Sequence, residues 1–259
     1  ELLMKHGISV ANHTLVYKEE YLAHPAKTIA ELEKSFTYPL IAKPADDGCS
    51  SAVKKIRNQQ ELCAFAEMMF RDTPEFLPAQ QKVLKLKDNE EFPQKSYFLL
   101  EDLIDRNGAT HFLEITGGML TSINDNGDRV YELFEPSETL ATGDVLSLEE
   151  KFLAGEGQNI TPARFGKTTE ENKRVSEKVR KDLEKVAEIL NIEGYARIDA
   201  FVRIYEDGKV ETIIIEINSL PGMTPATCIF HQSAINGYKP YEFIDAILTY
   251  GMQRQKLIA

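Results

Sequence analysis

The chain has 259 residues, enough to bury a proper core as one large or two small domains. Charged residues make up 27% of it and hydrophobic ones 42%, an ordinary balance for a globular chain in water. A net charge of -11 without a basic block argues against nucleic acid as a partner, and no apolar run approaches the roughly 18 residues of a membrane span. The N-terminus has no signal-peptide pattern, and an odd three cysteines without metal-ligand spacing argue against a disulfide framework or a zinc site, so the expected compartment is the cytoplasm. The chain opens at Glu1-Leu2-Leu3-Met4-Lys5, already helical in pattern and without an initiator Met, from which we expect a piece of a longer polypeptide.

In chain order, residues 2–6 read as the end of a helix stopped by Gly7, 8–17 as a short strand with loop, and 28–36 as helix. Residues 40–43 form a short buried strand, followed by a small-residue loop over 44–51 and a strand over 52–56. Leu62, Phe65, Ala66 and Met69 make one helix face within 58–70, with Asn58 as N-cap and Glu61 three residues on. Residues 71–94 are polar, hold three prolines, and are expected to be loop with a strand near 82–86. Residues 97–101 are a buried strand, and 110–116 with 119–124 read as a hairpin around Gly117-Gly118. The aperiodic stretch 134–163 is long enough to be a functional loop. Residues 168–190 form the longest helix, with Val175, Val179, Leu183, Val186, Ala187 and Leu190 on one face, and 241–252 a last helix. Two β-rich α+β lobes emerge, over 1–98 and 99–259.

Residues 194–227 carry the most chemistry. Two Ile/Val/Phe-rich runs flank Glu206-Asp207-Gly208-Lys209, whose Asp-Gly pair is favoured in a two-residue hairpin loop. With that loop Asp199 faces Glu216 and Arg197 faces Asn218, so all four project from one face. Ile198, Ala200, Val202, Ile204, Ile213, Ile215 and Ile217 then take the other, core face. Carboxylates opposed at roughly 5 Å between Cβ atoms repel, so a cation belongs between them. Two acids and a carboxamide are oxygen donors of the kind that hold Mg²⁺; the alternative is a structural salt-bridge cluster pairing Arg197 with both acids. Both readings stand on spacing alone.

Other segments offer weaker signals. The turn Asp46-Asp47-Gly48-Cys49-Ser50-Ser51 after Lys43 can form an anion-binding nest of backbone N–H groups with the lysine as a point charge on phosphate, or be an ordinary turn; it is no Walker A loop. Glu101-Asp102-Leu103-Ile104 can offer backbone groups and an apolar side chain to an adenine ring, or be an acidic turn. Lys151 and Phe152 sit where a lid could neutralise a transferred phosphate, against the default of a solvated lysine. Gly222, in Pro221-Gly222-Met223-Thr224, permits close approach of a ligand to its N–H, or simply a tight turn.

Taken in order, Lys43-Pro-Ala-x-x-Gly-x-Ser, Glu101, Glu150-Lys151-Phe152, Thr161-Pro162-Ala163-Arg164, Arg197-x-Asp199 and Glu216-x-Asn218-x-x-Pro221-Gly222-Met223-Thr224 resemble the D-alanine–D-alanine ligases of the ATP-grasp superfamily. The resemblance covers nearly the whole chain and implies an α+β ATP-grasp fold, two lobes clasping the nucleotide. It implies ATP phosphorylating the carboxylate of one D-amino acid, whose acylphosphate is displaced by the amine of a second, for peptidoglycan precursor synthesis. By motif position Lys43, Gly48, Cys49 and Ser50 would hold phosphates, Glu101 and Ile104 the adenine, and Lys151 the γ-phosphate. Asp199, Glu216 and Asn218 would bind two Mg²⁺ ions, with Mn²⁺ able to substitute. Arg197 and the Gly222 N–H would stabilise the tetrahedral oxyanion, and Phe152, Arg197, Gly222 and Thr227 would meet the substrates. ATP and D-amino acids are then the partners, with no nucleic acid or membrane; a homodimer of the full-length protein is left open.

The chain departs from the family in five respects. The family's N-terminal domain, with a substrate-side glutamate and a first ATP lysine, would precede Glu1. Cys49 stands where a serine follows the loop glycine, and Phe152 where the lid usually has tyrosine. No ribose-binding glutamate is found near residues 108–111, and Thr227 replaces a serine. Two alternatives therefore remain: another ATP-grasp carboxylate–amine ligase, and a nucleotide-binding module without turnover.

Overall fold

A computed structural model describes residues 1–47, 51–87, 90–140, 159–224 and 227–258, with residues 256–258 described by their backbone alone. Its first elements are α1 (Leu2–Lys5), β1 (Ser9–Val10), β2 (His13–Tyr17), α2 (Lys18–Ala23), α3 (Pro25–Ser35), β3 (Leu40–Lys43), β4 (Lys54–Ile56), α4 (Gln59–Phe70), α5 (Pro78–Leu84) and β5 (Tyr97–Asp102). There follow β6 (His111–Ile123), β7 (Arg129–Leu133), β8 (Ser137–Thr139), β9 (Asn159–Ile160), α6 (Thr169–Leu190), β10 (Tyr195–Ile204), β11 (Val210–Ser219), α7 (Cys228–Ile235) and α8 (Pro240–Ile258). The chain divides into two compact units, one built on residues 11–104 and the other on 1–10, 105–140 and 159–258. The boundary expected at 98/99 falls inside β5. Residues 1–10 belong with the C-terminal part because Ser9 and Val10 run parallel to Ile213 and Ile214 of β11. The expected single strand over 8–17 is thus two strands in different sheets.

In the unit of residues 11–104, an antiparallel sheet has the order β2-β5-β3-β4. Helix α4 buries Leu62, Phe65, Ala66 and Met69 with Leu40, Ala42, Phe98 and Leu100, and each Leu, Phe or Met side chain among them is worth about 1.5–3 kcal/mol when removed from water. Asn58 caps this helix by accepting from the Glu61 N–H at 2.9 Å, while the Glu61 carboxylate accepts from the Arg57 N–H at 2.8 Å. The strand expected near 82–86 is instead α5, which has a proline in its first turn and ends on Lys85 in the left-handed conformation. Buried Arg71 orders the surrounding segment by donating to the carbonyls of Met68 and Phe92 at 2.6 and 2.7 Å.

In the other unit the sheet order is β1-β11-β10-β6-β8-β9, with β7 also paired to β6. Helix α6 packs Val175, Val179, Leu183 and Val186 on one face with Ile115, Met119, Ile198 and Val202. The opposite face carries Leu120 and Phe134, covered by Ile229 of α7 and Phe243 of α8. The hairpin expected around Gly117-Gly118 is one continuous strand, β6, at the centre of the sheet. These glycines serve packing: a Cβ on Gly117 would meet Leu183 Cδ1 at 2.4 Å, and one on Gly118 would meet Gln232 Oε1 at 2.4 Å. Helices thus approach the strand closely from both faces. Among the described residues no helix is long and apolar enough to cross a membrane.

Candidate functional site

The β10–β11 hairpin sets the site. Asp199 pairs with Glu216 and Arg197 with Asn218, the register expected from the sequence, but by a different route. The loop has three residues, not two: the Tyr205 N–H bonds the Lys209 carbonyl at 2.9 Å, and Gly208 has φ +80. The ladder from Ile204↔Val210 to Ala200↔Ile214 therefore runs one residue out of the expected register, and a bulge at Ile215 restores it at Asp199↔Glu216. Ile214, not Ile213, consequently packs in the core with α6.

On the site face Arg197 makes a two-pronged ion pair with Asp199: Nε donates to Oδ1 and Nη2 to Oδ2, both at 2.9 Å. Burial opposes the charge on Arg197, but Asp199 and then Glu216 hold its pKa above the ordinary arginine value. Asn218 Nδ2 donates to Asp199 Oδ2 at 3.2 Å and to Glu216 Oε1 at 3.1 Å, standing between the two carboxylates. On the next strand the Thr116 hydroxyl donates to Asp199 Oδ1 at 2.6 Å. Thr116 escaped the sequence reading; 83 residues separate it from Asp199, and only the β6–β10 pairing joins them.

The salt bridge of the structural alternative is therefore present in part: among the described residues Arg197 pairs with Asp199 and not with Glu216. With Glu216 the cluster carries one excess negative charge, and the group between the carboxylates is an amide. Among the described residues no group of three or more His, Cys, Asp or Glu is gathered for a metal. The candidate set is two carboxylates and a carboxamide, a composition suited to Mg²⁺. A half-turn of the Asn218 amide exchanges its N–H for an oxygen between the acids, so these three residues fit a hard divalent cation.

Beyond β11, Leu220 lies 73% exposed with φ +49, a strained conformation for a branched side chain. Gly222 has no positive φ, and among the described residues a Cβ there would meet only Thr227 Cγ2, at 4.0 Å. Its backbone conformation does not require glycine, and none of the described residues packs closely enough to require it. Thr227 is the N-cap residue of α7, and its hydroxyl donates to the Thr224 carbonyl at 2.7 Å. Burial pushes the Cys228 thiol up in pKa, against the opposing pull of Arg197 and Ser137.

In the other unit, Lys43 Nζ and Glu101 Oε1 form an ion pair at 2.7 Å, bringing together two residues expected to meet different parts of a nucleotide. Glu101 pairs with Ile41, two residues from Lys43 along β3, so the contact is a diagonal one across β3 and β5. Ile104 is half-buried just past β5. Gly48, Cys49, Ser50, Lys151 and Phe152 lie outside the described residues.

The family model described as D-ala D-ala ligase C-terminus matches residues 2–80 and 111–249. The D-alanine–D-alanine ligase of Chlorobaculum tepidum is 29% identical over 254 residues, 98% of this chain and 58% of the relative. Among solved structures, the VanG D-Ala:D-Ser ligase from Enterococcus faecalis aligns over 96% of this chain and 59% of its own, with a TM-score of 0.62 and 20% identity. The D-alanine–D-alanine ligase from Bacillus anthracis complexed with ATP has a TM-score of 0.60 and 17% identity, over 100% of this chain and 66% of its own. The chain spans about three fifths of the length of the curated relatives it matches. The fold is the ATP-grasp fold that the motif order implied. With its match to the family model running across both units, the chain belongs to the D-alanine–D-alanine ligase family and corresponds to its C-terminal part.

Proposed function

We propose that the chain is the nucleotide- and metal-binding core of an ATP- and Mg²⁺-dependent ligase that joins two D-amino acids, D-alanine first among them, for peptidoglycan precursors in the cytoplasm. The observation that supports it most is Arg197, Asp199, Glu216 and Asn218 on one face of a hairpin leading into Gly222, against which no described residue packs closely. In this reading Asp199, Glu216 and Asn218 hold Mg²⁺, which when bound offsets charge on the ATP phosphates. Lys43 and residues 48–50 bind phosphates, Glu101 and Ile104 the adenine, and Lys151 the transferred group. The γ-phosphoryl passes to the carboxylate of the first D-amino acid, and the amine of the second attacks that carbonyl and expels phosphate. Arg197 gives Nε and Nη2 to Asp199, while Nη1 has no hydrogen bond to the described residues. That free donor, with the Gly222 N–H, is suited to the oxyanion of the attack. Phe152 and Thr227 border the second substrate.

Phosphate release from ATP, measured on the protein from its complete reading frame, is expected to depend on D-alanine and to fall about 10²–10³-fold in Arg197→Ala. Release with other acids but not D-alanine would assign the chain to another carboxylate–amine ligase. ATP binding by calorimetry without release under any acid would sink the enzymatic reading.

A further inference from the structure

Among the described residues Asp199 accepts four hydrogen bonds, two on each oxygen but unequal in kind. Oδ1 accepts from the Thr116 hydroxyl at 2.6 Å and from Arg197 Nε at 2.9 Å. Oδ2 accepts from Arg197 Nη2 at 2.9 Å and from the Asn218 amide at 3.2 Å. The Asn218 bond is the weakest by length and the one that an amide half-turn releases. Thr116 is buried, and its place on β6 sets it directly opposite Asp199 of β10. That strand position is held from α7: Gln232 Nε2 donates to the Thr116 carbonyl at 2.7 Å and to Ser137 Oγ at 2.9 Å.

We propose that Thr116 is a positioning residue that decides which oxygen of Asp199 faces the cation, Oδ1 being held back by its hydroxyl and Oδ2 left to ligate beside Glu216 and the turned amide of Asn218. This rests on the cation-binding role of Asp199. Partners that orient a ligating side chain typically matter by 10–100-fold in metal affinity, because without them the ligand must be ordered at the moment of binding. The hydroxyl is the operative group, so a side chain of the same shape without it should fail.

The test is a titration of Mn²⁺ into the protein from its complete reading frame, with ADP present, following loss of the free-ion electron paramagnetic resonance signal. Thr116→Val is expected to weaken binding about 10-fold or more, and Thr116→Ser to stay within about twofold of the unaltered protein. If Thr116→Val does not fold, Thr116→Ala replaces it in the same comparison. Equal Mn²⁺ affinity with and without the hydroxyl overturns the proposal while leaving the cation site standing. An equal loss in Thr116→Ser and Thr116→Val also overturns it, since that marks a packing role. Absence of binding by the unaltered protein has a different signature and removes the cation role of Asp199 together with the proposal. A crystal structure with Mn²⁺ on Oδ1 would likewise refute it.

Discussion

Two glycines near the site illustrate opposite reasons for the same residue. At Gly118 the space for a Cβ is filled by Gln232 Oε1 at 2.4 Å, Ile229 Cγ1 at 3.2 Å and Phe134 Cδ2 at 3.3 Å. All three neighbours are buried, so none moves freely. Gly118→Ala is expected to lower stability by about 1–3 kcal/mol in denaturant unfolding, the usual cost of overpacking. At Gly222 no described residue beyond its chain neighbours comes nearer than 4.0 Å to the place of a Cβ, and Gly222→Ala is expected to change stability by less than about 0.5 kcal/mol while lowering D-alanine-dependent phosphate release. Loss of stability at Gly222 would contradict the view that the position is kept clear for a ligand. Arg197, Asp199, Glu216 and Asn218 were legible from the Arg-x-Asp and Glu-x-Asn spacing, because alternation along a strand fixes which residues share a face. Thr116 was not, since nothing local marks one threonine among the β-branched residues of a central strand.

The hairpin element carries a compensation that spacing conceals. A three-residue loop displaces the ladder by one, and the Ile215 bulge takes the displacement back before the acids. Between loop and bulge the faces of β11 are therefore exchanged relative to a regular hairpin. Ile214 joins the core with α6, while Ile215 is only half-buried. Ile214→Ala should cost about 2–5 kcal/mol, and Ile215→Ala clearly less, as read from urea midpoints at unchanged m. The reverse order would mean that the bulge lies elsewhere. The helix elements were more legible. Asn58 and Thr168 cap α4 and α6 as side-chain acceptors, and replacing either with Ala is expected to cost about 1 kcal/mol. Such caps act within four residues and need no distant partner, which is why α5, with no side-chain cap bond and no buried residues, was mistaken for strand.

At the scale of the whole molecule, stability in acid should depend on Glu138, a buried carboxylate on β8. Burial alone would raise its pKa, but Arg164 overrides this and holds it below the ordinary value, donating from Nε and Nη2 at 2.8 and 2.9 Å. A depressed folded-state pKa stabilises fully above the unfolded value, about 4.3, and the contribution is lost as pH falls through the folded value. The melting-temperature gap between the unaltered protein and Glu138→Gln should therefore be present at neutral pH and narrow below about pH 4. A gap that does not change with pH would exclude this linkage. By itself the sequence determined the buried faces of α4 and α6, the Asn58 cap, the α+β class and the shared faces of Arg197 with Asp199 and of Glu216 with Asn218, since each follows from periodicity or short spacing. That the two pairs face each other depends on the bulge at Ile215. Only the tertiary structure decided that residues 1–10 join the sheet of β11, that β6 runs straight through its glycines, that Lys43 meets Glu101, and that Thr116 holds Asp199. Each of those depends on contacts between segments far apart in the chain, and their cooperative packing leaves no mark at any one position.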